Sequence, residues 1–144
     1  MNKASADYKA PGADPVVSQA TLEQYAKRKT SLLERLVAAY LDEAPLFHSR
    51  IRRGMESGDL DAVKSNTHGL KSCSHNMGAI RQAKLCQDIE TSAGCGDQLR
   101  LTILLEKLGP GFFEVEEELR SALYRYTGKC IAVAARPAEP ATVD

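Results

Sequence analysis

The chain has 144 residues, 43% hydrophobic and 26% charged, which is enough for a single domain with a buried core. Nineteen basic side chains balance nineteen acidic ones, so the electrostatic case for nucleic acid, whose binders gather Lys and Arg on one face, is missing. No apolar run approaches the roughly 18 residues that cross a bilayer, and Met1 to Pro15 lacks the apolar centre of a secretory signal; a cytoplasmic protein without membrane insertion is expected.

In chain order, residues 1–15 contain Pro11, Gly12 and Pro15 and read as a disordered arm. A first, short helix is predicted from Ser18 to Lys29, with Ser18 or Thr21 as N-cap. A second run starts near Ser31. Its apolar residues Leu33, Leu36, Val37, Tyr40, Leu41, Ala44, Phe47, Ile51 and Met55 keep a helical phase across Pro45. That continuity predicts one helix, kinked at the proline and ending at Ser57-Gly58. Asp59 caps a third helix that reaches His75 or Met77, and a fourth is expected over Ala79–Ser92 before a Gly94-Cys95-Gly96 loop. Asp97 opens a last stretch with Leu101, Leu105, Leu108, Phe112, Val115, Leu119, Ala122 and Tyr126 in phase. Gly109-Pro110-Gly111 interrupts it, so a bent helix or two coaxial halves meeting there are expected, the bend being favoured. Residues 129–144 read as a flexible tail. No run has the period of a strand, so the pattern predicts an all-α fold: an up-and-down antiparallel four-helix bundle over residues 16–128, with a short extra N-terminal helix.

The third helix carries the chemistry. At about 100° per residue, Lys71, Ser72, His75 and Lys64 fall within about 60° of His68, while Val63, Leu70, Cys73 and Met77 fall on the opposite side. A polar strip of imidazole, ammonium and hydroxyl thus faces away from the core. Histidine is nucleophilic near neutral pH, and a lysine one turn away can stabilise incoming phosphoryl oxygens. Ser72 is small enough to leave room for a partner beside the ring. No Gly-rich phosphate loop, GxSxG elbow or HExxH is present, so this strip would carry a phosphoryl group that other proteins install and remove. Cys73, Cys86, Cys95 and Cys130 form no CxxC pair and match no recurrent zinc spacing, so no metal site is expected. His48 has no motif around it and reads as a solvated helix residue; the run Arg50, Arg52, Arg53 reads as a solvated face with some capacity to contact a partner.

His68-Gly69-Leu70-Lys71-Ser72, Gly78, Leu85-Cys86 and Ile89-Glu90 together resemble the signature of histidine-containing phosphotransfer (HPt) domains. The similarity extends more weakly over about residues 16–127. It implies that His68 is an exposed phosphoacceptor; by their phase on the helix, Lys71 is expected as its electrostatic partner and Lys64, Ser72 and His75 on the docking rim. It also implies a monomeric carrier without kinase activity or a cofactor of its own. Its partners would be receiver domains of a hybrid sensor kinase and of a downstream regulator, which bring the Mg²⁺ and the catalytic carboxylates. Ser72 stands where the family usually has Gly, Gln82 where it has Leu, and Asn66 where Ala is commoner. Two other readings remain open: a bundle that binds a partner without any phosphate, and a C-terminal module of a hybrid histidine kinase. The dimerisation module of a kinase fits less well, because Gly69-Leu70-Lys71 replaces the acidic residue and proline expected after its histidine.

Overall fold

The computed structural model describes residues 14–130, so most of the arm expected over 1–15 and of the tail expected over 129–144 lies outside the described residues. Six helices follow one another: α1 (Gln19–Arg28), α2 (Thr30–Ser57), α3 (Leu60–Asn76), α4 (Ile80–Cys95), α5 (Gln98–Leu105) and α6 (Leu108–Thr127). No strand occurs among the described residues, and no helix there is long and apolar enough to cross a membrane. Helices α2, α3, α4 and α6 form the four-helix bundle, with α6 closing it against α2 and α4. Leu33, Val37, Tyr40, Ile51, Val63, Leu70, Ile89, Leu101, Val115 and Leu119 fill its core. They are the same residues whose spacing marked the apolar stripes.

Short polar residues start three of the helices. Ser18 Oγ accepts from Thr21 N at 3.3 Å, Asp59 Oδ1 from Ala62 N at 3.0 Å, and Asp97 Oδ1 from Arg100 N at 3.1 Å. Pro45 lies within α2 on its exposed side, so the helix runs on through it and the Leu41 carbonyl loses its partner away from the core. Helix α1 closes one end of the bundle: Ser18 N donates to Gly78 O at 2.8 Å, and Tyr25 OH to Asn76 O at 2.7 Å. Gly78 has φ 79°, and a Cβ there would come within 2.9 Å of the Thr21 side chain; positive φ and close approach both call for glycine.

Two boundaries differ from expectation. Helix α4 runs past Ser92 and through Gly94 to Cys95, because the left-handed residue that stops it is Gly96, at φ 72°. The last stretch is two helices, and the break falls at Glu106-Lys107, ahead of Gly109-Pro110-Gly111. A proline ring crowds the carbonyl four residues earlier, here that of Glu106, and the hydrogen-bond ladder breaks there, whereas α2 runs on through Pro45; Pro110 itself sits in the first turn of α6, where its missing N–H costs nothing. His48 is also not solvated. Its ring packs edge-on to Phe112 of α6, with centroids 5.3 Å apart, and its Nε2 is sealed from solvent without a partner. Burial, with a smaller contribution from Arg52, pushes its pKa down to about 4.

The residues that depart from the HPt pattern are accommodated locally. Gln82 is buried, and its amide donates to Leu108 O at 3.1 Å, tying α4 to α6; the oxygen of that amide occupies the space a Cβ on Gly111 would need. Asn66 turns its amide back to Ala62 O at 2.8 Å.

Candidate functional site: an imidazole held between two helices

His68 stands on the outward face of α3, its side chain 60% exposed. It is not alone. Glu90, one turn before the end of α4, places Oε2 3.1 Å from His68 Nδ1 and Oε1 2.9 Å from Lys71 Nζ. Lys71 Nζ also donates to Gln87 Oε1 at 3.0 Å, and the Gln87 amide donates in turn to Thr91 Oγ1 at 3.2 Å. The hydrogen bond from Lys71 is the first cause, and that from His68 a further one, that holds the Glu90 carboxyl below the usual carboxylate range.

This arrangement decides the tautomer. An ionised carboxylate can only accept, so the group facing it at Nδ1 must be N–H. In the neutral ring the lone pair is then on Nε2, which has no partner among the described residues. The site therefore holds an exposed nitrogen nucleophile whose proton is parked on the opposite ring atom by a carboxylate, itself anchored by an ammonium.

Of the residues expected on the site, Lys71, Ser72 and His75 line one groove of about 680 Å³ between α3 and α4, together with Asn76, Ile80, Ala83, Lys84 and Gln87. His75 is exposed there, with no carboxylate partner among the described residues. Lys64 is exposed and stands apart; its Nζ is 3.8 Å from where a Cβ on Gly94 would be, near the negative C-terminal end of α4. Glu90 and Gln87 were not singled out from the sequence. Glu90 is 22 residues from His68 on another helix, and helical phase within α3 cannot report a neighbour across a helix pair; its only signal was its place in the Ile89-Glu90 part of the signature.

The cysteines take no part. Burial raises the Cys73 thiol to about 11 and the Cys86 thiol to about 12, which keeps both protonated and inert; Cys95 and Cys130 are exposed, and all four are free. Among the described residues no group of three or more His, Cys, Asp or Glu side chains is arranged to hold a metal ion.

Comparison with known proteins supports the fold and gives the family. The crystal structure of histidine-containing phosphotransfer protein B (HptB) from Pseudomonas aeruginosa PAO1 superposes with a TM-score of 0.73 over 78% of this chain and 98% of that one. At 23% identity, that likeness speaks for the fold. No curated protein matches the sequence. The family model of the Hpt domain matches residues 35–124, more than half of the chain, from within α2 to within α6 and including His68. The chain belongs to the Hpt domain family.

Proposed function

We propose that this protein is a histidine phosphotransfer protein of a multistep two-component phosphorelay, with His68 as the residue that carries the phosphoryl group between receiver-domain aspartates. The observation that supports it best is the Nδ1–Glu90 hydrogen bond of 3.1 Å beside an exposed Nε2. In the forward step the Nε2 lone pair attacks the phosphorus of a receiver's aspartyl phosphate. The N–P bond forms as the P–O bond to the aspartate breaks, and the carboxylate leaves with that electron pair. Nδ1 keeps its proton throughout, so the phosphorylated ring becomes cationic and the Glu90 carboxylate stabilises it more than it stabilises the neutral ring. Delivery to a second receiver is the same step reversed.

Lys71 holds Glu90 in place and adds positive potential beside the phosphoryl. Ser72 and His75 belong to the rim that meets the receiver, and Lys64 to its edge. Every one of these groups comes from one chain, so a monomer suffices. The chain needs no cofactor and is a carrier without kinase activity of its own. Four free thiols fit a reducing, cytoplasmic setting.

Incubation with a phosphorylated receiver domain tests the reading. Acid-labile, base-stable label is expected on the wild type and on His75→Gln, and none on His68→Gln. Normal labelling of His68→Gln would overturn it, and an absence of label on every form would favour an adaptor that binds its partner without phosphate.

A further inference from the structure

The surroundings of His68 have two sides, one towards α4 and one towards α2. On the side towards α4, two of the three donors of Lys71 are spent on Glu90 and Gln87, at 2.9 and 3.0 Å. What Lys71 offers a phosphoryl group is potential more than hydrogen bonds. Lys64 leans towards the end of α4. A phosphoryl group brings close to two negative charges and three acceptor oxygens, and the α4 side leaves most of that unanswered.

The other side is built differently, from α2. Gly69, the residue after His68, has no Cβ, and the Phe47 ring occupies the space: a Cβ there would lie 2.6 Å from Cε1 and 2.7 Å from Cζ of that ring. Phe47 therefore abuts the backbone one residue from the phosphoacceptor. Arg50, one turn further along α2, lays its guanidinium over the same ring, with Cζ 5.9 Å from the centroid. Side chains on a helix lean towards its N-terminus, which brings Arg50 back over Phe47 to the level of Gly69. Arg50 is exposed and has no carboxylate partner among the described residues. Of the basic run, Arg52 is turned to the far side, where it lines a cleft with His48.

We infer that Arg50, carried on the Phe47 shelf that Gly69 makes possible, is the phosphoryl-binding cation on the α2 flank of His68. The inference rests on the phosphoacceptor reading of His68 and adds to it a second charged group on the opposite side from Lys71. A guanidinium suits the position because its planar fork gives two parallel N–H donors to phosphoryl oxygens, and the aromatic face holds it ready without a competing carboxylate.

The test separates phosphoryl binding from receiver docking by using a donor without a protein partner. The intact chain is phosphorylated with potassium phosphoramidate, and the pH titration of the phospho-His68 signal is followed by ³¹P NMR. A nearby cation favours the dianion, so the midpoint is expected about half a pH unit higher in Arg50→Ala than in the wild type, with Arg50→Lys restoring most of the difference. Uptake from a phosphorylated receiver should fall about tenfold in Arg50→Ala, the size of one charge-assisted hydrogen bond. Gly69→Ala, which displaces the ring, should move the midpoint the same way. Arg50 is exposed, so its variants are expected to retain wild-type helicity. If Arg50→Ala titrates like the wild type, the inference is wrong, even where receiver-dependent uptake falls. If His68→Gln labels as well as the wild type, the phosphoacceptor reading fails and takes this inference with it.

Discussion

His68 and His48 are the same side chain in opposite surroundings. The first is exposed on α3, with a carboxylate on Nδ1 and nothing on Nε2. The second sits on α2 under Phe112, with its Nε2 sealed off and its pKa pushed down to about 4 by burial. Access and orientation separate them: only His68 has a nitrogen that a partner can reach and a group that fixes which nitrogen carries the proton in the neutral ring.

The contrast is broken most severely by removing what orients His68. Glu90→Ala leaves Nδ1 without its acceptor and frees Lys71, and the rate of phosphoryl uptake from a receiver is expected to fall about 10–100-fold, the worth of a charge-assisted hydrogen bond, while thermal unfolding stays close to wild type. Uptake at the wild-type rate would make Glu90 a bystander. Lys71→Ala should act in the same direction but less, about threefold to tenfold, because Glu90 still reaches His68; a large loss of helicity would place Lys71 in a structural role instead.

On the other side of the comparison, His48 should announce itself in stability and not in transfer. Its folded pKa of about 4 lies below the ordinary 6.5, so the unfolded chain binds the proton first. The stability it contributes is full above pH about 6.5 and is lost as pH falls towards 4, amounting to about 3 kcal/mol. Urea unfolding of wild type and His48→Gln at pH 7 and pH 5 checks this: the wild type should lose more stability between the two than the variant. Glu90, whose pKa is also lowered, contributes with the same sign in a more acidic range; its share is present above the ordinary carboxylate pKa, near 4.5, and disappears as pH falls through the lowered value. The smallest effect is expected at Tyr40, whose buried hydroxyl pairs with Ser74 Oγ at 2.9 Å. Tyr40→Phe strands that serine between α2 and α3 and should cost about 1–2 kcal/mol, with transfer unchanged.

Much of this was legible in the sequence because it depends on one helix at a time. The stripes through Leu33–Ile51 and Val63–Leu70, the caps at Ser18, Asp59 and Asp97, and the outward row of His68, Lys71, Ser72 and His75 all follow from local spacing. What was missed depends on pairs of helices. Glu90 acts on His68 from α4, the sealing of His48 is done by a ring on α6, and the Phe47 shelf needs α2 to meet the bare backbone at Gly69. The α5–α6 break was misplaced for a different reason. The phase of the stripe survives a two-residue interruption, so it could not show that the helix gives way at Glu106-Lys107 and not at Pro110 itself.

The central claim is that the phosphoryl group is taken by Nε2 of His68 because Glu90 keeps the proton on Nδ1. Phosphorylating the ¹⁵N-histidine-labelled chain and reading the one-bond ³¹P–¹⁵N coupling tests it directly. The account predicts a single coupled nitrogen, Nε2 of His68, with Nδ1 still protonated. Coupling at Nδ1 of His68, or at either nitrogen of His75, would contradict it.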